Sequence, residues 1–161
     1  MTTVIEVSIK KQILTLLKHG NEIKSYTIST ALKGVGQEKN SFKTPKGRHI
    51  IRAMIGEGLP EFSIFEERRP TGQLWTQQIT KLPFNHDWIL SRILWLSGCE
   101  IGINRLGNFD TMQRYIYIHG TSDEFLLGTP VSHGCIRMAN QDVIELFNLV
   151  SIGTAVLINE E

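Results

Sequence analysis

The chain has 161 residues, a length that fits one domain with a hydrophobic core of its own. Charged residues make up 20% and the formal net charge is +1, which argues against disorder and against a surface that binds nucleic acid. No apolar run approaches the roughly 20 residues that a membrane-spanning helix needs. The first twenty residues also lack the basic and apolar regions of a secretory signal. We therefore expect a single domain over residues 1–161, no membrane span, and a cytoplasmic location, or a periplasmic one if a leader has been removed.

The first third of the sequence predicts β-strands. Residues 4–9, 13–17 and 23–29 are rich in β-branched and apolar side chains, and a His-Gly-Asn turn separates the last two. Pro45 and Gly47 then fit a type I turn ahead of another strand. Residues 55–113 are less regular, with candidate strands near 62–68 and 89–96.

The carboxyl-terminal third has sharper patterns. Residues 115–119 alternate, so Ile116 and Ile118 should face one side of a strand while Tyr117 and His119 face the other. Further on, Asn140 is a good cap for a helix whose apolar residues recur at helical spacing up to residue 150. A last strand is expected over 154–158. The sequence thus predicts a mainly β fold with one principal helix after Cys135.

The motif Ser-His-Gly-Cys at residues 132–135 points to nucleophilic chemistry. A cysteine attacks as its thiolate, and an imidazole within hydrogen-bonding reach can generate that thiolate. Two histidines are candidates for this base, His133 in the same segment and His119 sixteen residues upstream. We favour His119, because a side chain from a separate strand can be aimed at the sulfur more freely.

The residues beside Cys135 also suit acyl transfer. Gly134 lacks a Cβ, so its backbone can turn the N–H groups of Gly134 and Cys135 towards one developing oxyanion. Arg137 could hold a substrate carboxylate through its planar guanidinium.

Structural interpretations of the same residues stay open. Cys135 could be a buried apolar residue and His119 a hydrogen-bonded residue at a strand end. Cys99 is expected to be buried, both cysteines to be free thiols, and the remaining histidines to lie on the surface, namely His19, His49 and His86. A zinc site built from His119, His133 and Cys135, with Cys99 as a further candidate ligand, matches no familiar spacing, so we expect no metal and no cofactor.

His-Gly-Thr at residues 119–121, followed by the motif SHGCIRM at 132–138, resembles the signature of the L,D-transpeptidase catalytic domain family. The turn TPKG at 44–47 is also similar to that family. The resemblance implies a β-sandwich-like arrangement of mixed sheets with a helix beside the cysteine. It implies a site made of the nucleophile Cys135, the base His119, Gly120 orienting that base through its carbonyl, His133 supporting the tetrahedral state, and oxyanion donors at Gly134 and Cys135. It further implies substrate contacts from Arg137, Thr121, Ser132 and Tyr117.

The implied substrate is a peptidoglycan tetrapeptide stem or muropeptide, cleaved between meso-diaminopimelic acid and D-alanine through a thioester. If water accepts the acyl group the enzyme is an L,D-carboxypeptidase, and if an amine accepts it the enzyme is a transpeptidase that forms cross-links or anchors proteins. We expect water as the acceptor, in cytoplasmic recycling of wall fragments, because no leader is visible. The resemblance also implies acylation of Cys135 by carbapenems. The alternative to an enzyme is a murein-binding module that keeps the fold but has no catalytic activity.

Overall fold

The computed structural model describes residues 3–77 and 87–161, which form a mainly β fold. The strands are β1 (Thr3–Ser8), β2 (Ile13–Lys18), β3 (Asn21–Ser29), β4 (Gly47–Ile55), β5 (Ser63–Glu66), β6 (Arg69–Leu74), β7 (Ile89–Gly98), β8 (Tyr117–Gly120), β9 (Ile136–Met138) and β10 (Ala155–Asn159). Within these residues there is one α-helix, α1 (Asn140–Leu149), which follows β9. The predicted fold class and the helix after Cys135 are confirmed.

All ten strands belong to one sheet that closes on itself. The strand order is β4-β10-β1-β2-β3-β9-β8-β7-β5-β6, and β4 also pairs with β7. Eight strands therefore form a ring, and the β5–β6 hairpin extends from β7. Parallel pairs occur at β1–β10 and at β8–β9, and the other pairs are antiparallel.

The sequence predicted a single strand near residues 62–68, but the structure has a hairpin of β5 and β6 there. The chain turns at Glu67 and Arg68, whose φ angles are +47° and +68°. Two consecutive positive φ values are typical of the tight turns that join antiparallel strands. This turn carries Arg68 to the region of Cys135.

The parallel pair β8–β9 separates core residues from site residues. Ile118 pairs with Ile136, and His119 pairs with Arg137. Ile116, Ile118, Ile136 and Met138 belong to the main core, together with residues of α1. Because side chains alternate along a strand, Tyr117 and His119 project from the opposite face, as predicted.

Asn140 was predicted to cap the helix, and that prediction is wrong. Ala139 occupies the cap position without a side-chain hydrogen bond, and Asn140 is the first helical residue. The Asn140 side chain is buried and donates to the carbonyl of Thr121 at 2.8 Å while accepting from the Ser91 hydroxyl at 2.6 Å. The carboxylate of Glu124 accepts the Asn140 N–H at 2.7 Å and so serves the helix start.

Across the described ranges, α1 is too short and too polar to cross a bilayer, and no other helix is a candidate for a membrane span.

Candidate active site

Cys135 lies directly before β9, beside the start of β8. Its sulfur accepts a hydrogen bond from the Tyr117 N–H at 3.3 Å, and its thiol donates to the Tyr115 carbonyl at 3.4 Å. The residue is half-buried and is a free thiol. Since Cys135 and Arg137 are two residues apart and Arg137 pairs with His119, the thiol and the imidazole project from the same face of the sheet.

His119 is fully buried, and its ring has a defined tautomer. Its Nδ1 lies 2.7 Å from the carbonyl oxygen of Gly120. A carbonyl can only accept, so Nδ1 carries the hydrogen and Nε2 carries the lone pair. Nε2 is buried and has no hydrogen-bond partner among the described residues.

Burial determines the charge states of the thiol and the imidazole. Desolvation lowers the pKa of His119 below its ordinary value, although the nearby carboxylate of Asp87 opposes the shift. Desolvation also raises the pKa of Cys135 to about 12, and Asp87 adds to this while Arg137 and Arg114 oppose it. At neutral pH the site therefore holds a neutral thiol and a neutral imidazole that can accept a proton.

The loop before Cys135 is fixed by internal hydrogen bonds. The Ser132 hydroxyl donates to the Cys135 carbonyl at 2.6 Å and accepts the Gly134 N–H at 3.2 Å. The Thr44 hydroxyl donates to the Gly134 carbonyl at 2.9 Å and accepts the Ala31 N–H at 3.0 Å. The Gly134 N–H is already bonded to the Ser132 hydroxyl. Of the two predicted oxyanion donors, the Cys135 N–H therefore stays as the expected one.

Gly134 leaves little room for a side chain. Its φ is +130°, and an added Cβ would lie 3.1 Å from Ile116 Cδ1 and 3.2 Å from the Lys43 carbonyl. Only glycine adopts this backbone without strain, which agrees with the predicted conformational role of the residue.

Arg137 is buried and bound to acidic residues. Its Nη2 contacts Asp87 Oδ1 at 2.9 Å, and its Nη1 lies 3.9 Å from Asp123 Oδ2. His133 is more than half exposed, with Nδ1 3.8 Å from Asp87 Oδ2. Asp87 thus bridges the two residues that flank Cys135 in the motif, and sequence reasoning missed it because residues 55–113 contain no motif.

Tyr117 and Thr121 are both buried and engaged. The Tyr117 hydroxyl accepts from Arg68 Nη1 at 3.0 Å, and its ring meets the ring of Trp95 edge-on at 5.7 Å. The Arg68 guanidinium also stacks over Trp95 and Tyr115, at 5.2 and 4.7 Å from the ring centroids. The Thr121 hydroxyl accepts the Asp123 N–H at 3.1 Å.

Two predictions about the other titratable residues are wrong. His49 is buried, with Nδ1 3.1 Å from the Gly47 carbonyl and Nε2 2.9 Å from the Thr111 hydroxyl. Cys99 is exposed, although both cysteines are free as predicted. His19 is exposed, and His86 lies outside the described residues. Residues 3–77 and 87–161 contain no cluster of three or more His, Cys, Asp or Glu side chains suited to a metal ion.

Comparison with known proteins identifies the family of this chain. The family model for the L,D-transpeptidase catalytic domain, YkuD, matches residues 2–158. The chain therefore belongs to the L,D-transpeptidase catalytic domain family, a family of enzymes, as the sequence predicted.

Similar proteins match this chain over short stretches in sequence and over its whole length in structure. The putative L,D-transpeptidase YkuD of Bacillus subtilis is 57% identical over 42 residues, which are 26% of each chain. The probable L,D-transpeptidase YbiS of Escherichia coli K12 is 46% identical over 48 residues, 30% of this chain and 16% of the relative. L,D-transpeptidase 3 from Mycobacterium tuberculosis, solved with a faropenem-derived adduct, has a TM-score of 0.60 at 17% identity, covering 99% of this chain and 60% of that one. An L,D-transpeptidase from Mycobacterium smegmatis has a TM-score of 0.58 at 15% identity, covering 98% and 58%. In every case the matched region is less than two thirds of the relative.

Proposed function

We propose that this protein is a cysteine acyltransferase that cleaves the bond between meso-diaminopimelic acid and D-alanine in peptidoglycan tetrapeptide stems. The observation that carries this proposal is the tautomer of His119, whose Nδ1–H is held by Gly120 and whose Nε2 lone pair has no partner among the described residues. The imidazole of His119 and the free thiol of Cys135 lie on the same face of the sheet. Nucleophilic thiol chemistry needs a general base, and the Gly120 carbonyl orients this one by binding Nδ1–H, which leaves Nε2 to accept the proton.

In the proposed reaction the Cys135 sulfur attacks the diaminopimelyl carbonyl while its proton passes to Nε2 of His119. The new oxyanion accepts the Cys135 N–H, and exposed His133 supports the tetrahedral state from the side of the substrate. His119, now an imidazolium held by the Gly120 carbonyl, returns the proton to the departing amine of D-alanine. The acyl group remains on the sulfur as a thioester, and the imidazole is neutral again for the second half-reaction.

The acceptor in the second half-reaction defines two candidate activities. The matched relatives are named as L,D-transpeptidases, which favours an amine of a second stem and a peptide cross-link as the product. Water as the acceptor, which would make the protein an L,D-carboxypeptidase, stays a prediction. The cytoplasmic location expected from the sequence also stays a prediction, and fractionation of cells carrying the full-length gene would test it.

The test is incubation of the purified protein with a synthetic tetrapeptide stem, alone and with an amine acceptor that contains meso-diaminopimelic acid. We expect D-alanine release from the wild type, no release from Cys135→Ala, and a loss of about 10²–10⁴-fold in His119→Gln, the usual range for removing a general base. Undiminished release by Cys135→Ala would overturn the proposal. If the wild type binds the stem without releasing D-alanine, the protein is a murein-binding module.

The products identify the acceptor. Mass spectrometry should show a cross-linked dimer if the amine accepts the acyl group, and a tripeptide alone if water does. A carbapenem gives an independent test of the nucleophile, because acylation adds the mass of the drug to the intact wild-type protein and not to Cys135→Ala.

A further inference from the structure

A small cavity of about 190 Å³ is lined by residues that neighbour Cys135. Its lining includes Tyr115, whose carbonyl accepts the Cys135 thiol, and His133 from the cysteine motif. The volume corresponds to about six water molecules at ~30 Å³ each. Such a space suits one small amino acid rather than a longer peptide.

The charges around this cavity are positive and lack acidic partners. Lys39 and Arg114 line it, and none of the lining residues is Asp or Glu. Arg114 is half-buried, and the ion pairs of the described residues include neither Arg114 nor Lys39. A partly buried cation without an anionic partner attracts negative charge, so this arrangement favours a ligand that carries a negative charge.

The acceptors around the Arg114 guanidinium are all neutral. Nη1 donates to the carbonyls of Gly36 and Gln37 at 3.1 and 3.2 Å, and Nη2 donates to the Ser41 hydroxyl at 3.3 Å and the Lys43 carbonyl at 2.6 Å. These bonds hold the loop of residues 36–43 in place without cancelling the charge. Lys39 is exposed on the same loop, so its flexible side chain is available for direct contact.

The backbone around the cavity is held in an unusual conformation. Three lining residues that are not glycine have positive φ angles, Asn40 at +64°, Phe42 at +59° and Tyr115 at +57°. Bulky residues rarely adopt this region, and they persist there when the surrounding structure holds them. The surrounding contacts therefore hold the lining of the cavity in one conformation.

We propose that this cavity is the subsite for the leaving group, where Lys39 and Arg114 attract the α-carboxylate of the terminal D-alanine. This inference rests on the proposed function and assigns its specificity for a free carboxyl terminus. Lys39 makes the direct contact, while Arg114 acts through its charge because its Nη atoms are bound to the loop. The carboxylate remains charged throughout, and the amine of D-alanine receives its proton from His119 as described above.

The experiment compares two substrates in the full protein, a tetrapeptide with a free terminal carboxylate and the same peptide with a terminal carboxamide. The ratio of kcat/KM for acid over amide should favour the acid in the wild type. It should fall about fivefold in Lys39→Gln, mainly through a higher KM for the acid, because an exposed ionic contact contributes to binding and not to the chemical step. Lys18→Gln is the matched control, since it removes the same charge from the exposed end of β2, and its ratio should equal that of the wild type.

The outcomes separate this inference from the proposed function. If the wild type releases D-alanine but the acid-to-amide ratio is the same in Lys39→Gln, the subsite assignment is wrong and the proposed function stands. If the wild type releases no D-alanine from the acid, both are overturned.

Discussion

The hydroxyl of Thr44 is predicted to hold the nucleophile loop, and Thr44→Val tests this. Thr44 is fully buried, donates to the Gly134 carbonyl at 2.9 Å and accepts the Ala31 N–H at 3.0 Å. Valine fills nearly the same volume but makes neither bond, so two buried backbone groups lose their partner. At about 1–3 kcal/mol for each of these two groups, the free energy of unfolding should fall by about 2–6 kcal/mol.

The same substitution should slow the chemistry. The Gly134 peptide adjoins Cys135, and a displacement of a reacting group by ~1 Å can cost a factor of about 10². We expect kcat for D-alanine release to fall at least about tenfold, with a smaller change in KM. Thr44→Ser keeps the hydroxyl and loses one methyl group, which should cost about 1 kcal/mol of stability and leave kcat within about twofold.

Urea unfolding followed by tryptophan fluorescence and a kinetic assay of D-alanine release measure the two effects. If Thr44→Val and Thr44→Ser unfold with free energies within ~0.5 kcal/mol of each other, the hydrogen-bond reasoning is wrong. A folded Thr44→Val with the kcat of the wild type would refute the positioning role.

Three further predictions concern titratable groups. Burial lowers the pKa of His49 from 6.5 to about 4, so between these two pH values the unfolded chain binds more protons than the folded protein. The free energy of unfolding should therefore fall as the pH is lowered, by about 3 kcal/mol at 1.36 kcal/mol per pKa unit. Urea unfolding at pH 7 and pH 4.5 should show a smaller loss for His49→Gln, and an equal loss would contradict this origin. Burial also lowers the pKa of His119, so kcat/KM should rise with pH only below pH 6.5 and be level at pH 7. An acidic limb of the pH profile centred above pH 7 would exclude His119 as the base. Iodoacetamide at pH 7 should alkylate exposed Cys99 before Cys135, because the raised pKa of Cys135 keeps that residue a thiol. Peptide mapping that finds Cys135 modified first would contradict a neutral resting thiol.

Local patterns in the sequence were sufficient to predict β8 and the side of it on which Tyr117 and His119 lie, whereas no strand was predicted at β9. The alternation of Tyr117, Ile118 and His119 sets which side chains enter the core, because successive residues of a strand face opposite sides. The need for glycine at position 134 is also a local property of the backbone. For such features the information lies within a few residues of the position concerned.

Contacts between distant segments were not predictable in the same way. Thr44 meets Gly134 across 90 residues, and Asp87 meets Arg137 across 50. His49 was expected at the surface, but the Thr111 hydroxyl, 62 residues away, provides the partner that allows its burial. The closure of the sheet through β4 and β7 likewise depends on pairing that no single segment encodes.

The charges around Cys135 favour a mechanism in which a general base activates the thiol over one that starts from a preformed ion pair. Arg137 is the cation nearest to it in sequence, but the carboxylates of Asp87 and Asp123 offset that charge. The sulfur also packs against the apolar cluster that contains Tyr117 and Ile93, where a thiolate would lose its solvation. Negative charge at this sulfur is therefore costly until an attacked carbonyl receives it, which ties formation of the nucleophile to the presence of substrate. In the proposed mechanism a neutral His119 with an available Nε2 meets this requirement, because it would take the proton during the attack.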